Sequence, residues 1–190
     1  LTLNEYQLQP VAGTQCNDPT PDLREESDIY AELGLQFIEP ALRENRGEFD
    51  AACKGDLPRL VEQDNLRGTF HNHTTESDGR SSLAEMVEAA RALGLSYLGI
   101  ADHSRSSSQT NGLNGERLLT QSAAIRALNA SLDDIDLYAG NEVDILRNGT
   151  LDFDDGTLAQ LDYVVASVHA SFNLPEKDMT ARLIKAMENP

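Results

Sequence analysis

Two histidines, His71 and His73, stand two positions apart where an apolar segment opens into a polar turn. In an extended backbone, side chains at positions i and i+2 point to the same face, so the two imidazoles can chelate one cation. Neutral imidazoles bind zinc, manganese or iron, and the carboxylate of Asp78 could complete or extend such a site. Asp78 could equally be a turn-forming residue before Gly79. The pair therefore predicts a metal site, with Asp78 as an open candidate.

The other two histidines occupy the same kind of position. His103 and His169 each follow a run of apolar or small residues that is typical of a buried strand. A further run of this kind, 137–145, carries Glu142 instead. An ionised glutamate inside an apolar strand is costly to bury unless a cation compensates its charge. We therefore expect Glu142 to bridge two metal ions.

Three neighbours of these candidate ligands have possible supporting roles. In an extended backbone Asp102 points away from the adjacent histidine, so we expect it to orient a neighbour or cap a loop rather than bind metal. Asp144 shares a face with Glu142, but it could lie deeper or pair with a nearby arginine. Arg105 follows a strand end and could contact phosphate oxygens of a substrate, although an arginine on the solvated surface is the commoner case.

The ligand types indicate a class of reaction. Histidine and carboxylate ligands without thiolates suit a hydrolytic cluster of Mn²⁺, Zn²⁺ or Fe better than a structural zinc site. The sequence has no glycine-rich nucleotide loop and no GxSxG nucleophile motif that would indicate another chemistry. It therefore predicts metal-assisted hydrolysis of phosphoesters.

Strand and helix patterns alternate from residue 66 onward and would position these groups. Strands are predicted at 66–71, 96–101, 136–145 and 162–168, and helices at 83–93, 116–129, 157–161 and from 177. Ser82 and Glu85 form a capping-box pattern at the start of the first of these helices. Such alternation predicts parallel strands whose C-terminal ends gather the reactive groups. An open doubly wound sheet would gather them in the same way, so the pattern leaves barrel closure undecided.

Residues 1–65 differ from the rest of the chain in having short predicted elements, several prolines and no catalytic cluster, and they are predicted to precede a separate domain at 66–190.

The net charge of −17 argues against a broad basic surface for nucleic-acid binding, but acidic groups that surround bound cations would not prevent those cations from attracting a phosphate. Cys16 and Cys53 lack metal-knuckle spacing and are expected to be free thiols. There is no signal-peptide pattern and no membrane-length apolar run, so we expect a soluble, cytoplasmic protein.

Four motifs follow one another in a specific order: 71–74 (HNHT) with 77–79 (SDG), 100–104 (IADHS), 140–145 (GNEVDI) and 165–169 (VASVH). Together they resemble the PHP (polymerase and histidinol phosphatase) domain, and more closely the PHP domain at the C-terminal end of bacterial family X DNA polymerases. Residues 3–6, 29–35 and 40–44 are similar to the end of that family's polymerase thumb and the connector after it. The resemblance covers essentially the whole chain.

The resemblance implies an α/β fold, a distorted (β/α)7 barrel, with two to three ions of Mn²⁺ (or Zn²⁺ or Fe) in the complete domain. Six residues would be ligands: His71, His73, Asp78, His103, Glu142 and His169. Glu142 would bridge the ion held by the histidine pair to a second ion at His169, and Asp78 with His103 would hold a third. Four of the six would act directly in catalysis: His71, His73, Glu142 and His169.

The resemblance also implies an activity, which is Mn²⁺-dependent 3′→5′ exonuclease action on DNA with related 3′-end or abasic-site processing in repair. DNA 3′ ends would be the substrate, and a polymerase core the partner in a full-length protein. The family pattern continues beyond Pro190 with further ligand motifs, so we expect a barrel that is incomplete at its C-terminal end. Two alternatives stay open: a small-molecule phosphatase of the histidinol-phosphate type, and an inactive scaffold that positions DNA.

Overall fold

The computed structural model of the chain describes residues 23–189 and the strand residues 2–3 and 8–9. They belong to two compact units, Leu1–Val61 and Glu62–Pro190. No helix within these described ranges combines the length and the apolar character needed to cross a membrane. Cys53 is a free thiol on the surface, as expected, whereas Cys16 lies outside the described residues.

The first unit consists of short elements joined by turns. Its strands and helices are β1 (Thr2–Leu3), β2 (Leu8–Gln9), α1 (Glu26–Glu32) and α2 (Glu48–Lys54), and β1 pairs antiparallel with β2. The guanidinium of Arg43 pairs with both carboxylate oxygens of Glu26 at 2.7 and 2.8 Å and donates to the carbonyl oxygen of Ile38 at 3.0 Å. Ile38 and Ala52 are the buried apolar residues described here, so polar contacts contribute much of this unit's organisation.

The second unit is built on a curled sheet of four parallel strands in chain order, with helices between successive strands. The strands are β3 (Gly68–Thr69), β4 (Tyr97–Ile100), β5 (Asp136–Asp144) and β6 (Tyr163–Ser167). The helices are α3 (Leu83–Ala92), α4 (Gly115–Asn129), α5 (Asp155–Leu158) and α6 (Glu176–Met187). This architecture confirms the predicted α/β class and agrees with an incomplete barrel.

One of two apolar core clusters described in this unit lies between the sheet and helices α3 and α4. Its buried members are Val87, Ala90, Leu98, Ile100, Ile125, Ile135, Leu137 and Ala139. Alternation along β4 directs Leu98 and Ile100 into this core, where each buried aliphatic side chain contributes roughly 1.5–3 kcal/mol. The predicted capping box begins α3, because Glu85 accepts from the Ser82 amide at 2.7 Å. These local signals place the helix that covers β3 and β4.

The opposite face of the sheet carries an aromatic cluster of Phe70, Tyr97, Tyr138 and Tyr163. The Tyr163 hydroxyl donates to the carbonyl oxygen of Phe70, and burial raises the pKa of this phenol. A Cβ atom at Gly140 would lie 2.4 Å from the Tyr163 ring, so glycine is required there for the ring to cross the sheet. The cluster thus joins β6 to the segment that leaves β3 toward His71.

Arg182 on α6 is buried and anchors this helix to the strand ends. Its guanidinium donates to the carbonyl oxygens of Leu146 and Ala170, both at 2.9 Å, and to that of Ile145. Replacing Arg182 with methionine preserves much of the side-chain volume but removes all three hydrogen bonds, including the buried one to the Ile145 carbonyl, while the Leu146 carbonyl keeps the Gly149 amide as a donor. We expect the free energy of unfolding to fall by about 2–4 kcal/mol, measured by urea unfolding followed by circular dichroism.

Lys185 provides the matched control because it lies on the same helix and is exposed. Its ammonium donates to the carbonyl oxygen of Asn148 at 3.1 Å. The Lys185→Met variant should unfold within about 0.5 kcal/mol of the wild type. Equal losses in the two variants would contradict a specific anchoring role for Arg182.

Candidate metal centre

The predicted ligands lie at one edge of the sheet because the parallel strands end there together. His71 and His73 follow β3, His103 follows β4, Glu142 lies on β5, and His169 comes two residues after β6. Where β4 ends, His103 continues the pairing by forming a β-bridge with Glu142. The sheet topology therefore brings together residues that are almost a hundred positions apart in the sequence.

The histidine pair is held in place by the asparagine between its members. The side-chain amide of Asn72 donates to the carbonyl oxygen of Gly99 at 2.8 Å, and the backbone carbonyl oxygen of Asn72 accepts from the Ala101 backbone amide at 2.8 Å. This extends the pairing of β3 with β4 beyond the short regular strand. The side chain of Asn72 is directed toward β4, so the neighbouring side chains of His71 and His73 lie on the opposite side of this segment, with their ring centroids 5.2 Å apart.

Glu142 is the centre of the group. Its carboxylate oxygens lie 3.3 Å from Nε2 of His71 and 3.6 Å from Nε2 of His73. They also lie 2.8 Å from Nδ1 of His103 and 3.2 Å from Nε2 of His169. All four histidines of the chain thus contact one buried carboxylate.

Asp78 extends the group on one side. Its carboxylate oxygens lie 3.4 Å from Nδ1 of His73 and 3.6 Å from Nε2 of His103. The ligand atoms form three overlapping sets, each close enough to hold an ion: His71, His73 and Glu142; His73, Asp78 and His103; His103, Glu142 and His169. His73 and His103 each belong to two sets, which is a broader involvement than the resemblance implied.

The geometry of these sets fits bound metal ions. Two ligands at about 2.1 Å from a tetrahedral ion are separated by about 3.4 Å, which is near most of the observed separations. Nδ1 of His73 and Nδ1 of His103 are buried and have no hydrogen-bond partner among the described residues. The 2.8 Å approach of the latter to Glu142 lacks hydrogen-bond geometry. Buried nitrogens without a partner are rare in folded proteins, so cations account for them well.

The charges of the site suit cation binding. Burial lowers the pKa of His73, and the neighbouring His103 lowers it further, so this imidazole is neutral at neutral pH and keeps a lone pair available. Burial raises the pKa of Glu142, but a hydrogen bond from Ser167 and the electrostatic influence of the nearby histidines outweigh it and hold this pKa below its usual value. A neutral His73 beside an ionised Glu142 gives the protonation states that metal binding requires.

Asp102 holds the turn that follows the histidine pair instead of contacting a histidine ring. Its Oδ1 accepts from the Thr74 amide at 2.7 Å and from the Ser77 hydroxyl at 2.5 Å. Its Oδ2 accepts from the Thr74 hydroxyl at 2.6 Å and from the side-chain amide of Gln121 at 2.5 Å. This fits the expectation that Asp102 caps a loop, and Gln121 is a partner that no motif in the sequence indicated.

Asp144 contacts His169 and the loop after His103 rather than a nearby arginine. Its Oδ1 lies 3.1 Å from Nδ1 of His169, and its Oδ2 accepts from the Ser107 hydroxyl at 2.8 Å and from Ser104 at 3.2 Å. The carboxylate thereby orients the His169 ring so that Nε2 faces Glu142.

Arg105 is not drawn into the group of histidines and carboxylates. Its Nε lies 3.4 Å from the buried carboxylate of Asp152, which also accepts from the Ser106 amide at 2.7 Å. The side chain remains 65% exposed. Asp152 was not a candidate from the sequence, because the local pattern of its turn carries no sign of a partner 47 positions away.

Comparison with known proteins connects this geometry to a family. A model of the PHP domain matches residues 69–187, which is more than half of the chain. The chain belongs to the PHP domain family. The predicted resemblance is therefore confirmed.

The relatives of this PHP domain are named as an exonuclease with polymerase activity or as probable phosphatases. The chain is 43% identical over 164 residues to the DNA polymerase/3′-5′ exonuclease PolX of Bacillus subtilis, a match covering 86% of this chain and 28% of that protein. It is also 29% identical over 125 residues to probable phosphatases of Clostridium acetobutylicum and Thermoanaerobacter. These matches cover 64% and 63% of this chain, respectively, and 49% of each relative. The matched region spans less than half the length of these relatives. Together they support a phosphoesterase role for this PHP domain.

Proposed function

We propose that this PHP domain is a metal-dependent 3′→5′ exonuclease that hydrolyses phosphodiesters at DNA 3′ ends. The observation that carries the proposal is the contact of all four histidines with the buried carboxylate of Glu142, at 2.8–3.6 Å. The similarity to PolX over 86% of the chain favours DNA over a small phosphate ester. Mn²⁺ is the preferred ion in this proposal, with Zn²⁺ or Fe as alternatives, because the donors are imidazoles and carboxylates.

In this proposal the ligand sets hold the metal ions, and the exposed side of the site admits the phosphate ester. Ions bound at these sets would supply positive charge and would lower the pKa of a bound water that attacks phosphorus. His71, His73 and Glu142 would hold one ion, and His103, His169 and Glu142 would hold a second on the other side of the Glu142 carboxylate. Glu142 is buried, so its charge is directed to the site rather than screened by water. His71 and Asp78 are exposed and mark the side from which a phosphate can approach.

Arg105 is proposed to contact the phosphate backbone of the substrate. Asp152 engages Nε, and the terminal nitrogens of the guanidinium have no partner among the described residues. A guanidinium presented in this way can donate to two phosphate oxygens at once. The hydrogen bond from Nε of Arg105 to Oδ1 of Asp152 is long, at 3.4 Å, so the side chain can adjust its position to a bound DNA strand.

The remaining assignments follow the similarity to PolX. Residues 1–65 would be the end of a polymerase thumb and a connector, and a polymerase core would be the partner in a longer protein. A cytoplasmic location is proposed because DNA repair occurs there in bacteria and because Cys53 is a free thiol, which suits a reducing compartment.

The proposal is tested with a single-stranded oligonucleotide labelled at its 5′ end. With Mn²⁺ present we expect stepwise loss of 3′ nucleotides, and with chelator present we expect none. The His73→Ala variant should cleave at least about 100-fold more slowly, because changes even in the outer shell of metal sites cost roughly 10- to 100-fold. An unchanged rate in this variant, with folding verified by circular dichroism, would overturn the proposal.

The second candidate is a small-molecule phosphatase, which the similarity to two probable phosphatases favours. The same metal chemistry would serve, since both reactions are attacks of water on phosphorus. Hydrolysis of an amino-alcohol phosphate and of the oligonucleotide by the same preparation separates the two functions. A ratio of kcat/KM values that favours the small phosphate would assign this domain to the phosphatase class.

A further inference from the structure

Two loops bring the His73–Asp78–His103 set together. Asp78 lies on the loop 74–79, which follows the histidine pair, and His103 begins the loop 103–114 before α4. The carboxylate of Asp78 is 45% exposed, so burial alone does not fix its position. The separation between the two loops therefore decides whether Asp78 and His103 can share an ion.

The two loops are anchored to the sheet at different points. The loop 103–114 returns to its start, because the Leu113 amide donates to the carbonyl oxygen of His103 at 2.7 Å. The loop 74–79 is attached to Asp102 through Thr74 and Ser77. These contacts hold the loop to the end of β4 but do not join it to the far side of the loop 103–114.

Arg117 supplies that connection from the first turn of α4. Its Nη2 donates to the carbonyl oxygen of Glu76 at 2.5 Å, and its Nη1 donates to the carbonyl oxygens of Asn111 at 3.1 Å and Gly112 at 3.5 Å. The side-chain amide of Asn111 donates to the same Glu76 carbonyl at 3.0 Å. One guanidinium thus bridges the backbones of both loops, two residues before Asp78.

The helix itself gains little from an arginine at this position. The N-terminal end of a helix carries partial positive charge, so a cation in the first turn is electrostatically unfavourable. The nearby carboxylate of Glu76, at 3.7 Å and exposed, compensates only weakly. The planar guanidinium, with donors in fixed directions, explains the arginine better, because lysine cannot reach three carbonyl oxygens with the same geometry.

We propose that Arg117 is a positioning residue for the His73–Asp78–His103 set, joining the two loops so that Asp78 reaches an ion shared with His103. The inference rests on the proposed metal site. Arg117 acts through the backbone of Glu76 and does not itself touch the ion. Loss of Arg117 should weaken the ion at this set and leave the two sets built around Glu142 largely intact.

The test is an Mn²⁺ titration of the folded chain, with free Mn²⁺ followed by its electron paramagnetic resonance signal. In Arg117→Ala we expect one class of site to weaken by about 10- to 100-fold, as for other supporting residues of metal ligands. Arg117→Lys should recover part of that loss, since the charge and one donor remain. Hydrogen exchange should accelerate at the Ser77 and Gly79 amides, which donate to Thr74 within the loop.

Arg126→Ala is the matched control, because Arg126 lies on the same helix and also donates to a backbone carbonyl, that of Gln160 at 2.6 Å. It should leave Mn²⁺ binding unchanged. Identical binding curves for wild type and Arg117→Ala, equal weakening of every site, or a wild-type chain that binds no Mn²⁺ would each overturn the inference. If Mn²⁺ binding behaves as expected but no oligonucleotide is cleaved, the inference stands and the exonuclease proposal fails.

Discussion

Replacing Glu142 with glutamine should remove most Mn²⁺ binding and reduce phosphodiester hydrolysis by at least about 100-fold. Outer-shell changes alone cost roughly 10- to 100-fold in metal affinity, and Glu142 contributes to two of the three ligand sets. Glutamine keeps the shape of the side chain but carries no negative charge. It would also present an amide group toward imidazole nitrogens 2.8–3.6 Å away. Isothermal titration with Mn²⁺ and the oligonucleotide assay measure the two effects.

The structure predicts that this loss is not caused by unfolding. Removal of the charge relieves the cost of burying an ionised group but also weakens the hydrogen bond from Ser167 and the attraction of the nearby histidines, so the two effects oppose each other. The free energy of unfolding without metal should therefore stay within about 1 kcal/mol of the wild type. Glu88→Gln is the control, since Glu88 is an exposed glutamate that pairs with Arg91 on α3. Full Mn²⁺ binding by Glu142→Gln would falsify the assignment of Glu142 as a shared ligand.

Replacing Asp102 with alanine should lower the free energy of unfolding by about 3–5 kcal/mol. The carboxylate is completely buried and accepts four hydrogen bonds, from the Thr74 amide and hydroxyl, the Ser77 hydroxyl and Gln121. Alanine leaves the Thr74 amide and hydroxyl without an acceptor in a buried place, and each such donor costs about 1–3 kcal/mol. The Ser77 hydroxyl and Gln121 keep only longer hydrogen bonds, to Asp78 at 3.4 Å and to the Thr74 hydroxyl at 3.2 Å. Urea unfolding measures the change.

Two companion variants separate the loss of hydrogen bonds from the loss of volume. Asp102→Asn keeps the shape but directs an amide donor at existing donors, so it should destabilise by an intermediate amount, about 2 kcal/mol. Asp133→Ala removes an exposed aspartate in the turn before β5 and should change stability by less than about 0.5 kcal/mol. If Asp102→Ala unfolded like Asp133→Ala, the four hydrogen bonds would have no net effect, contrary to this account.

The buried carboxylates at this edge of the sheet have separate tasks. Asp102 stabilises the turn that carries Asp78, whereas Asp144 orients His169 and the loop after His103. The predicted losses in stability and in metal binding therefore fall on different residues. A substitution at Asp102 should weaken the fold and the metal site together, while a substitution at Glu142 should affect the metal site alone.

The sequence by itself determined the elements of the second unit and the histidines at their ends. The capping box of Ser82 and Glu85, the apolar run of β4 and the amphipathic pattern of α3 involve neighbours within a few residues, so they can be recognised locally. Strand-end positions of the four histidines follow directly from these patterns. Glu142 could be singled out because an acidic residue in an apolar strand requires compensation.

Local patterns were less informative where the backbone is irregular. The strand predicted at 66–71 is regular only at Gly68–Thr69, because the following segment is held to β4 by Asn72 rather than by a continuous ladder. The helix at Glu48–Lys54 was not predicted, since its seven residues are too few to show a clear amphipathic period. Element boundaries depend on such nonlocal contacts.

Only the tertiary structure decided which partners the polar residues have. Gln121 reaches Asp102, Asp152 reaches Arg105, and Arg117 joins two loops, across 19, 47 and 41 positions of sequence. Nothing in the spacing of these residues indicates the contacts, because they depend on how parallel strands align and where the loops then meet. The sequence therefore identifies the chemistry available to this protein, and the packing of the chain decides how the groups are positioned to use it.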